Sequence, residues 1–392
     1  MSKLSKKKIA IFTGTRAEYG LLYWIIKALH EFDDIELQLL VGGMHLSPEF
    51  GNTVTQIEAD GFPISEKIEF LLSSDTPVGI SKSMGLAIIS AAEAIERHNP
   101  EILILLGDRY ETLALAQTAM LARVPIAHIH GGEVTEGLID EAIRHSITKM
   151  AHIHFTSTET YRRRVIQLGE NPDKVFNVGA PGIDNIVRLK LLKNEELSSE
   201  IGFELLGPYF LVTYHPVTLE INGSAKSLKN LLFALDKYPE YQIIFTYPNS
   251  DTYGRQLIDL LHDYQNVNPS RVYVAPSLGQ FRYLSLMKHC TAVIGNSSSG
   301  LIEAPSFKVP TVNIGNRQKG RLAGCTVVQT SDDIEEISKS IKHVIKPEFR
   351  QKCKSYNNPY GDGETSNKII STLRKISLED IIMKPFNDLD FL

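Results

Sequence analysis

The sequence has few cysteines and no strong excess of either charge. Only three cysteines occur among 392 residues, and no two of them form a C-x-x-C pair. A sparse and odd count argues against a disulfide framework and fits a reducing compartment. The 41 Lys and Arg against 46 Asp and Glu give a net charge of −5. This balance gives no reason to expect nucleic acid or an anionic membrane as a partner, so any anion site must be local.

Long apolar runs are also absent. No run of 18 apolar residues occurs, which argues against a membrane span. The basic start of the chain is followed only by the short apolar stretch 9–12, which is too short for the core of a signal peptide. We therefore expect a cytoplasmic protein. Its length predicts two domains, because single hydrophobic cores stop growing at roughly 250–300 residues.

Short apolar strands alternate with helical segments along the whole chain. The first half has predicted strands at 8–14, 35–42, 101–107, 124–130, 152–157 and 174–179. The second half has them at 209–215, 242–247, 271–274, 291–296, 310–314 and 325–329. Such alternation indicates right-handed βαβ units and parallel sheets. We predict an α/β fold of two Rossmann-like doubly wound domains, at 1–185 and 186–365. The remaining helix and tail, 366–392, are of a kind that often crosses back onto the first domain.

The first predicted strand is followed by GTRAEYG at 14–20. Ligands of open parallel sheets bind beyond the carboxyl ends of the strands. A glycine turn before a helix can hold an anion on backbone N–H groups, and Arg16 adds a guanidinium suited to phosphate or carboxylate. The alternative is a tight turn with a surface arginine. The motif is not G-x-G-x-x-G, so a dinucleotide cofactor is not favoured.

Histidines occur in pairs in the two strand segments that follow. His128 and His130 share one strand face within HIHGGE, and His152 and His154 repeat the spacing. Two H-x-H patterns would suit a metal site. The nearby carboxylates do not form a recognisable ligand set with them, so we expect no metal. His152 and His154 are then core or rim residues.

Carboxylates collect after these same strands. Asp108 opens a helix and could be an N-cap alone. Asp140, Glu141, Arg144 and His145 lie at helical spacing within IDEAIRHS, which fits either a capped helix with salt bridges or an acid/base cluster. Glu133 ends the HIHGGE segment between them. Three carboxylate-bearing elements at adjacent strand ends favour the acid/base cluster.

The second half carries an anion-binding pattern in GNSSSG at 295–300. Small residues and hydroxyls at a helix start suit a diphosphate, and the alternative is a Ser-rich N-cap. Glu303 lies farther along the same predicted helix, where a ribose could reach it. Arg317 and Arg321 follow in NRQKGR, and other strands end at His215 and near Asn249.

These motifs occur in a fixed order between residues 8 and 321: GTRAEYG, LGDRYE, HIHGGE, IDEAIRHSITK, HPVT, GNSSSGLIE and NRQKGR. As an ordered set they closely resemble the hydrolysing UDP-N-acetylglucosamine 2-epimerases of sialic-acid biosynthesis. The resemblance implies a glycosyltransferase-B-type fold, with two Rossmann-like domains facing a cleft. It also implies conversion of UDP-N-acetylglucosamine and water into N-acetylmannosamine and UDP. No cofactor is implied, and a homodimer or homotetramer is expected.

By this resemblance the second domain holds UDP. Ser297 and Ser298 match diphosphate-binding serines, and Glu303 matches the ribose ligand. The further expected substrate contacts are Arg16, Glu18, His45, His215, Asn249, Arg317 and Arg321.

The resemblance also assigns acid/base work to Asp108 and Asp140. Arg109, Glu141 and His145 lie beside them in the sequence. Many relatives carry Glu two residues after the first His of the HIHGGE-like motif, whereas this chain has His130 there. The third proton-transfer group is therefore His130 or Glu133.

The implied chemistry requires departure of UDP to run ahead of proton removal. The C2 proton has no adjacent carbonyl, so a carboxylate base alone cannot remove it at a useful rate. Anti elimination gives 2-acetamidoglucal, and water then adds to C1 while C2 is protonated from the opposite face. Four alternatives stay open: the same chemistry on UDP-2,4-diacetamido-2,4,6-trideoxyglucose of the legionaminic-acid route, a non-hydrolysing 2-epimerase, a glycosyltransferase of this fold, or a sugar-nucleotide binding protein without turnover.

Overall fold

A computed structural model describes residues 6–74, 76–136, 139–216, 223–247, 254–275 and 278–389. The chain divides into two compact units. The first comprises Met1–Glu133, Ile139–Asn185 and Tyr360–Leu392, and the second comprises Val134–Leu138 and Ile186–Pro359. Each unit contains one parallel sheet with helices, so the predicted α/β fold of two Rossmann-like domains is confirmed.

The first unit is built on a seven-stranded sheet of order β3-β2-β1-β4-β5-β6-β7. Its strands are β1 Lys7–Thr13, β2 Ile35–Gly42, β3 Ile64–Ile68, β4 Ile102–Leu106, β5 Ile126–Ile129, β6 Ile153–Thr156 and β7 Val175–Asn177. The helices that begin in this unit are α1 Arg16–Glu31, α2 Val54–Ala59, α3 Pro77–His98, α4 Tyr110–Leu121, α5 Asp140–Met150, α6 Glu159–Gln167, α7 Pro181–Arg188 and α15 Thr365–Lys375. The strand order reverses between β1 and β4, which brings the segments after Thr13 and Leu106 to the position where such sheets bind ligands.

The second unit has a six-stranded sheet of order β10-β9-β8-β11-β12-β13. Its strands are β8 Tyr209–Thr213, β9 Gln242–Thr246, β10 Val272–Ala275, β11 Ala292–Gly295, β12 Thr311–Ile314 and β13 Val327–Thr330. Its helices are α8 Asn194–Ile201, α9 Gly223–Leu235, α10 Gly254–Val267, α11 Gly279–His289, α12 Ser299–Ile302, α13 Ile334–Val344 and α14 Pro347–Lys354. Here the order reverses between β8 and β11, which places His215 and Asn296 at the corresponding position.

The C-terminal segment is attached to the first unit by specific polar contacts. The two carboxylate oxygens of Asp184 accept hydrogen bonds from the first N–H groups of α15, at Thr365 (2.9 Å) and Ser366 (2.8 Å). The Lys384 ammonium donates to Glu170 Oε2 at 2.8 Å. A carboxylate at a helix N-terminus satisfies N–H groups that have no partner within the helix.

Helix α3 is, in the part of the chain that the structure describes, the one helix long and apolar enough to cross a membrane by length and composition alone, with a mean hydropathy of 1.4. A core helix of a soluble protein passes the same test. Ala87, Ala91 and Ala94 of α3 are fully buried in the core on one side of the first sheet.

Candidate active site

A buried arginine organises the carboxylates of the first unit. Arg144, on α5, is 1% exposed. Its Nε donates to Asp108 Oδ2 at 2.8 Å, and its Nη2 contacts the same oxygen. Its Nη1 donates to Glu141 Oε2 at 2.6 Å and to the Glu133 carbonyl at 2.8 Å. A buried guanidinium must be paired, so Arg144 holds Asp108 and Glu141 side by side.

Asp108 keeps one carboxylate oxygen for other partners. Both contacts from Arg144 go to Oδ2, and Oδ1 has no hydrogen-bond partner among the described residues. The side chain is 26% exposed. The N-cap of α4 is Arg109, not Asp108. The reading of Asp108 as a helix cap alone is therefore wrong.

Helix α5 contributes Glu141 to this network. His145 Nε2 lies 3.2 Å from Glu141 Oε1, one turn along the helix. The Nδ1 atom of His145 is buried without a hydrogen-bond partner in the described structure. Asp140 is the first residue of α5 and is partly buried. The residue that shares Arg144 with Asp108 is thus Glu141.

The side chains of His130 and Glu133 contact each other directly after β5. His130 Nδ1 lies 3.3 Å from Glu133 Oε1, which also accepts a 2.8 Å hydrogen bond from Ser157 Oγ. His130 has φ of +72°, a left-handed conformation that is uncommon outside glycine. Its Nε2 is buried and has no hydrogen-bond partner in the part of the chain that is described.

The loop after His130 requires glycine. Gly132 has φ of +76°, and a Cβ there would lie 2.4 Å from the Tyr161 carbonyl oxygen. A side chain at this position is therefore excluded by both backbone conformation and space. The glycine keeps Glu133 close enough to reach back to His130.

The other three histidines of the H-x-H pairs hold the first sheet together. His128 Nε2 lies 2.8 Å from the Gly107 carbonyl oxygen, and burial lowers the pKa of this ring to about 3. His152 Nδ1 accepts from the Ile126 N–H at 3.2 Å, and His154 Nε2 lies 2.9 Å from Glu170 Oε2. Among the residues that the structure describes, no three His, Cys, Asp or Glu are grouped so that they could hold a metal ion.

The segment after β1 uses its glutamate as a helix cap. Glu18 Oε2 accepts from the N–H groups of Gly14 (2.8 Å) and Thr15 (3.1 Å), and Thr15 Oγ1 accepts from the Glu18 N–H. This reciprocal arrangement is a capping box. The Glu18 side chain therefore points inward, whereas Arg16 is exposed.

His45 is buried, and both of its ring nitrogens contact threonine hydroxyls. Its Nε2 lies 3.0 Å from Thr13 Oγ1 and its Nδ1 lies 2.8 Å from Thr53 Oγ1. Burial lowers its pKa to about 4, so the ring is neutral at pH 7. Both ring nitrogens thus serve contacts within the first unit, and the substrate contact expected of His45 stays a prediction.

In the second unit Asn296 joins the ends of β8 and β11. Its side chain accepts from the His215 N–H at 2.7 Å and donates to the His215 carbonyl at 2.8 Å. Its own carbonyl accepts from Arg317 Nη1 (3.2 Å) and Gln318 Nε2 (2.8 Å). Burial lowers the pKa of His215 to about 3. A Cβ at Gly295, where φ is +134°, would lie 2.0 Å from the Thr213 carbonyl oxygen, so only glycine fits there.

Two of the three serines at 297–299 are joined by hydrogen bonds, and one of these two also contacts Tyr283. Tyr283 Oη lies 2.6 Å from Ser299 Oγ, and Ser299 Oγ donates to Ser297 Oγ at 3.1 Å. The Ser298 hydroxyl makes no hydrogen bond with any described residue, and its side chain is half-buried. The Ser297 hydroxyl is thus positioned by Ser299, whereas the adjacent Ser298 hydroxyl has no such contact among the described residues.

The predicted helix from Ser297 to Glu303 is shorter than expected. Helix α12 spans only four residues, Ser299–Ile302, and Glu303 is its C-cap. Pro305 lacks an N–H and disfavours helix before it, so the chain continues as a 3₁₀ turn. Burial raises the pKa of the Glu303 carboxyl to about 7.

Two further predicted nucleotide contacts, Arg321 and Asn249, stay predictions. Arg321 Nε donates to the Val134 carbonyl at 3.3 Å, within the second unit. Asn249 lies outside the described residues.

The contacts that organise the site join residues from separate elements, so the sequence alone does not show them. Arg144 is recognisable from its spacing to Glu141, but its central position depends on Asp108, which follows a different strand. Glu111, whose Oε1 accepts from Arg109 Nε at 2.5 Å, and Tyr283 are likewise brought in by contacts between separate elements.

The sequence and the fold agree on one class of protein. The UDP-N-acetylglucosamine 2-epimerase family matches residues 27–374, and the chain belongs to this family. It is 41% identical over 387 residues to the Campylobacter jejuni GDP/UDP-N,N'-diacetylbacillosamine 2-epimerase (hydrolyzing), covering 98% of this chain and 100% of the relative. It is 35% identical over 382 residues to the Legionella pneumophila UDP-N,N'-diacetylbacillosamine 2-epimerase (hydrolyzing), covering 97% and 99%.

A solved structure shares the fold. The Neisseria meningitidis UDP-GlcNAc 2-epimerase, bound to UDP-GlcNAc, superposes with a TM-score of 0.80 at 21% identity, covering 94% of this chain and 100% of that chain. The family resemblance derived from the ordered motifs is confirmed.

Proposed function

We propose that this chain is a hydrolysing 2-epimerase that acts on UDP-N,N'-diacetylbacillosamine, the UDP-2,4-diacetamido-2,4,6-trideoxyglucose weighed as an alternative above. Its products are UDP and 2,4-diacetamido-2,4,6-trideoxymannose. Identities of 41% and 35% to the Campylobacter and Legionella enzymes, over nearly the full length of each chain, support this substrate. UDP-N-acetylglucosamine, favoured by the motifs alone, is the second candidate and is supported by the family description.

The observation that carries the chemistry is the open Oδ1 of Asp108. Arg144 fixes the carboxylate through Oδ2, so Oδ1 keeps a lone pair in a defined direction. We assign Asp108 as the base that takes the C2 proton. The C1–O bond breaks, its electron pair leaves with UDP, and the C2–H electron pair forms the C1=C2 double bond.

The second proton transfer is assigned to His130. Glu133 contacts Nδ1 and thereby fixes the ring, which leaves Nε2 to exchange a proton. Leu106 pairs with Ile129 across β4 and β5, so Asp108 and His130 follow neighbouring strand ends. Protonation of C2 from the face opposite Asp108 accompanies addition of water to C1, which inverts C2.

UDP is assigned to the second unit. Ser297 and Ser298 present hydroxyls that suit the diphosphate, and Arg317 supplies a guanidinium next to them. Glu303 is the proposed ribose contact, since a carboxyl group can accept hydrogen bonds from both ribose hydroxyls. His215 and Arg16 complete the proposed set.

The products formed in deuterated water test this function. We expect UDP and a free sugar with deuterium at C2 to appear at equal rates, because C2 receives its new proton from solvent after elimination. We also expect kcat/KM for UDP-N,N'-diacetylbacillosamine to exceed that for UDP-N-acetylglucosamine by about 10-fold or more, the scale that a few pocket contacts produce. Proton NMR of each reaction gives both results.

Three outcomes would contradict parts of this assignment. An intact UDP-linked 2-epimer as the end product would indicate the non-hydrolysing reaction. A higher kcat/KM for UDP-N-acetylglucosamine would make that sugar the substrate. Binding of both sugars without turnover would reduce the protein to a sugar-nucleotide binder.

We further propose that the enzyme is a homodimer. Helices α3 and α4 pack against each other and expose large apolar side chains: Leu86 (39%), Ile89 (61%), Met120 (45%) and Leu121 (75%). Exposed apolar side chains grouped on neighbouring helices are typical of protein contacts. Sedimentation velocity should give a dimer that the Ile89→Glu and Leu121→Glu changes convert to a monomer. Leu206→Glu, at an exposed position of the second unit, should leave the dimer intact. A wild-type monomer would contradict the proposal.

A further inference from the structure

Two buried glutamates lie behind the segment that follows β1. Glu18 on α1 is 7% exposed and Glu111 on α4 is 1% exposed. A Cβ built on Gly14 would lie 3.3 Å from Glu111 Oε1 and 3.4 Å from Glu18 Oε2, so both carboxyl groups approach the same point. The pair is thus formed by the first turns of two helices that follow the central strands β1 and β4.

The surroundings of this pair provide one full positive charge. Arg109 Nε donates to Glu111 Oε1 at 2.5 Å, and the N–H groups of Gly14 and Thr15 donate to Glu18. Glu111 Oε2 is buried and has no hydrogen-bond partner in the described structure. Two ionised carboxylates at this depth would repel each other, so a pair of this kind holds one proton at neutral pH.

The electrostatics of the neighbouring groups agree with this count. Burial, and next the charge of Glu111, raise the pKa of Glu18 to about 7. The pKa of the Arg109 guanidinium is raised, first by Glu111, so it stays charged. Burial and Glu111 raise the pKa of the Tyr110 phenol to about 12, so it stays neutral.

Arg109 is held at one end and exposed at the other. Its side chain is 43% exposed, although Nε is fixed by a residue that is almost fully buried. Its Nη1 and Nη2 make no hydrogen bond or ion pair with the described residues. A guanidinium anchored through Nε presents its terminal N–H groups as a fork, which matches two phosphate oxygens. Arg109 directly follows Asp108, the proposed base.

We propose that Glu111 is a positioning residue that aims Arg109 at the diphosphate of the UDP-sugar, and that Glu18 holds the shared proton that leaves Glu111 as the single anion behind Arg109. This inference rests on the proposed function. When the C1–O bond breaks, its electron pair passes to the phosphate oxygen, and Arg109 stabilises that charge. The C2 proton passes to Asp108 in the same step.

The first experiment compares Glu111→Gln, Arg109→Ala and the double variant. Each single change should weaken UDP binding, measured by calorimetry, by about 10-fold, the scale of one charge-assisted contact. Each should also lower kcat by a further factor of about 10 or more. The double variant should be no worse than Arg109→Ala, because Glu111 acts through Arg109.

The matched control is Glu159→Gln. Glu159 also lies in the first turn of a helix of the first unit and pairs with an arginine, but at the surface. Its replacement should change neither UDP affinity nor kcat. If the fold-losses of the two single variants multiply in the double variant, Glu111 does not act through Arg109 and the positioning role is overturned. A Glu111→Gln enzyme with normal kcat and normal UDP affinity would overturn it as well.

The second experiment reads the shared proton without any substrate. The pKa of Glu18 is raised from 4.5 to about 7 in the folded protein, so binding of its proton stabilises the fold. This contribution to the free energy of unfolding is fully present below pH 4.5 and is lost as the pH rises to about 7. The free energy of unfolding of the wild type, minus that of Glu18→Gln, should therefore fall between pH 4.5 and pH 7 and stay level above it. When the same comparison is made in proteins that also carry Glu111→Gln, the fall should occur at lower pH, because the Glu111 charge no longer raises the pKa of Glu18.

The two experiments separate the inference from the function on which it rests. A wild type that turns over no UDP-sugar would overturn the proposed function, while the calorimetry and the unfolding data would still decide the roles of Glu111 and Glu18. A stability difference that does not change between pH 4.5 and pH 7 would overturn the shared proton.

Discussion

The Asp108→Asn enzyme is expected to lose about 100-fold or more of its turnover while it binds UDP with unchanged affinity. This is the usual scale for the loss of a positioned proton-transfer group. Asn keeps an oxygen that can accept from Arg144, so the buried guanidinium retains one partner, whereas the basic Oδ1 lone pair is lost. UDP affinity stays because Asp108 is proposed to act at C2 of the sugar, and its carboxylate makes no proposed contact with UDP. Single-turnover kinetics and calorimetry measure the two quantities.

A comparison on α5 tells which carboxylate assists Asp108. The family resemblance implies this role for Asp140, whereas in the structure Arg144 donates to Glu141. We therefore expect Glu141→Gln to approach the loss seen in Asp108→Asn, and Asp140→Asn to lose less than about 10-fold. The control is Asp173→Asn, an exposed carboxylate of the same unit, which should be unaffected. Near-normal turnover in Glu141→Gln with a large loss in Asp140→Asn would return the role to Asp140.

The intermediate distinguishes the two halves of the reaction. A variant that releases the glycal still eliminates UDP but fails to hydrate the double bond. We assign that phenotype to His130→Asn, because His130 is proposed to protonate C2. Release of the glycal by Asp108→Asn instead would exchange the two roles.

The sheet architecture is predictable because buried parallel strands are continuous apolar runs. Strand β4, with sequence ILILL, is buried at every position. Strand β3, Ile64–Ile68, escapes prediction because it lies at the sheet edge and only its last residue is buried. Its sequence ISEKI therefore contains no apolar run, and only the pairing with β2 defines it.

The candidate site is predictable to the level of loops, not of side-chain directions. Parallel strands bring the segments after β1, β4 and β5 to one edge, so the first unit's candidates gather there. Whether a polar side chain turns inward depends on the partners it meets across strands. His45 turns inward to Thr13 and Thr53, and Arg144 becomes the buried centre of the cluster.

Ser298→Asp should weaken UDP binding by about 100-fold, which corresponds to about 2.7 kcal/mol at 25 °C. The change places a carboxylate against the proposed diphosphate, and like charges brought together at an interface cost several kcal/mol. Ser298→Ala removes only a hydroxyl and should cost about 10-fold at most. Ser270→Asp, at an exposed turn of the second unit, is the control for the added charge and should bind UDP normally. Equal calorimetric affinities for all three variants would mean that the nucleotide binds elsewhere. Tyr283 contacts this loop through Ser299 Oγ. Tyr283→Phe removes that hydrogen bond without adding a charge, so it should lower UDP affinity less than Ser298→Asp does.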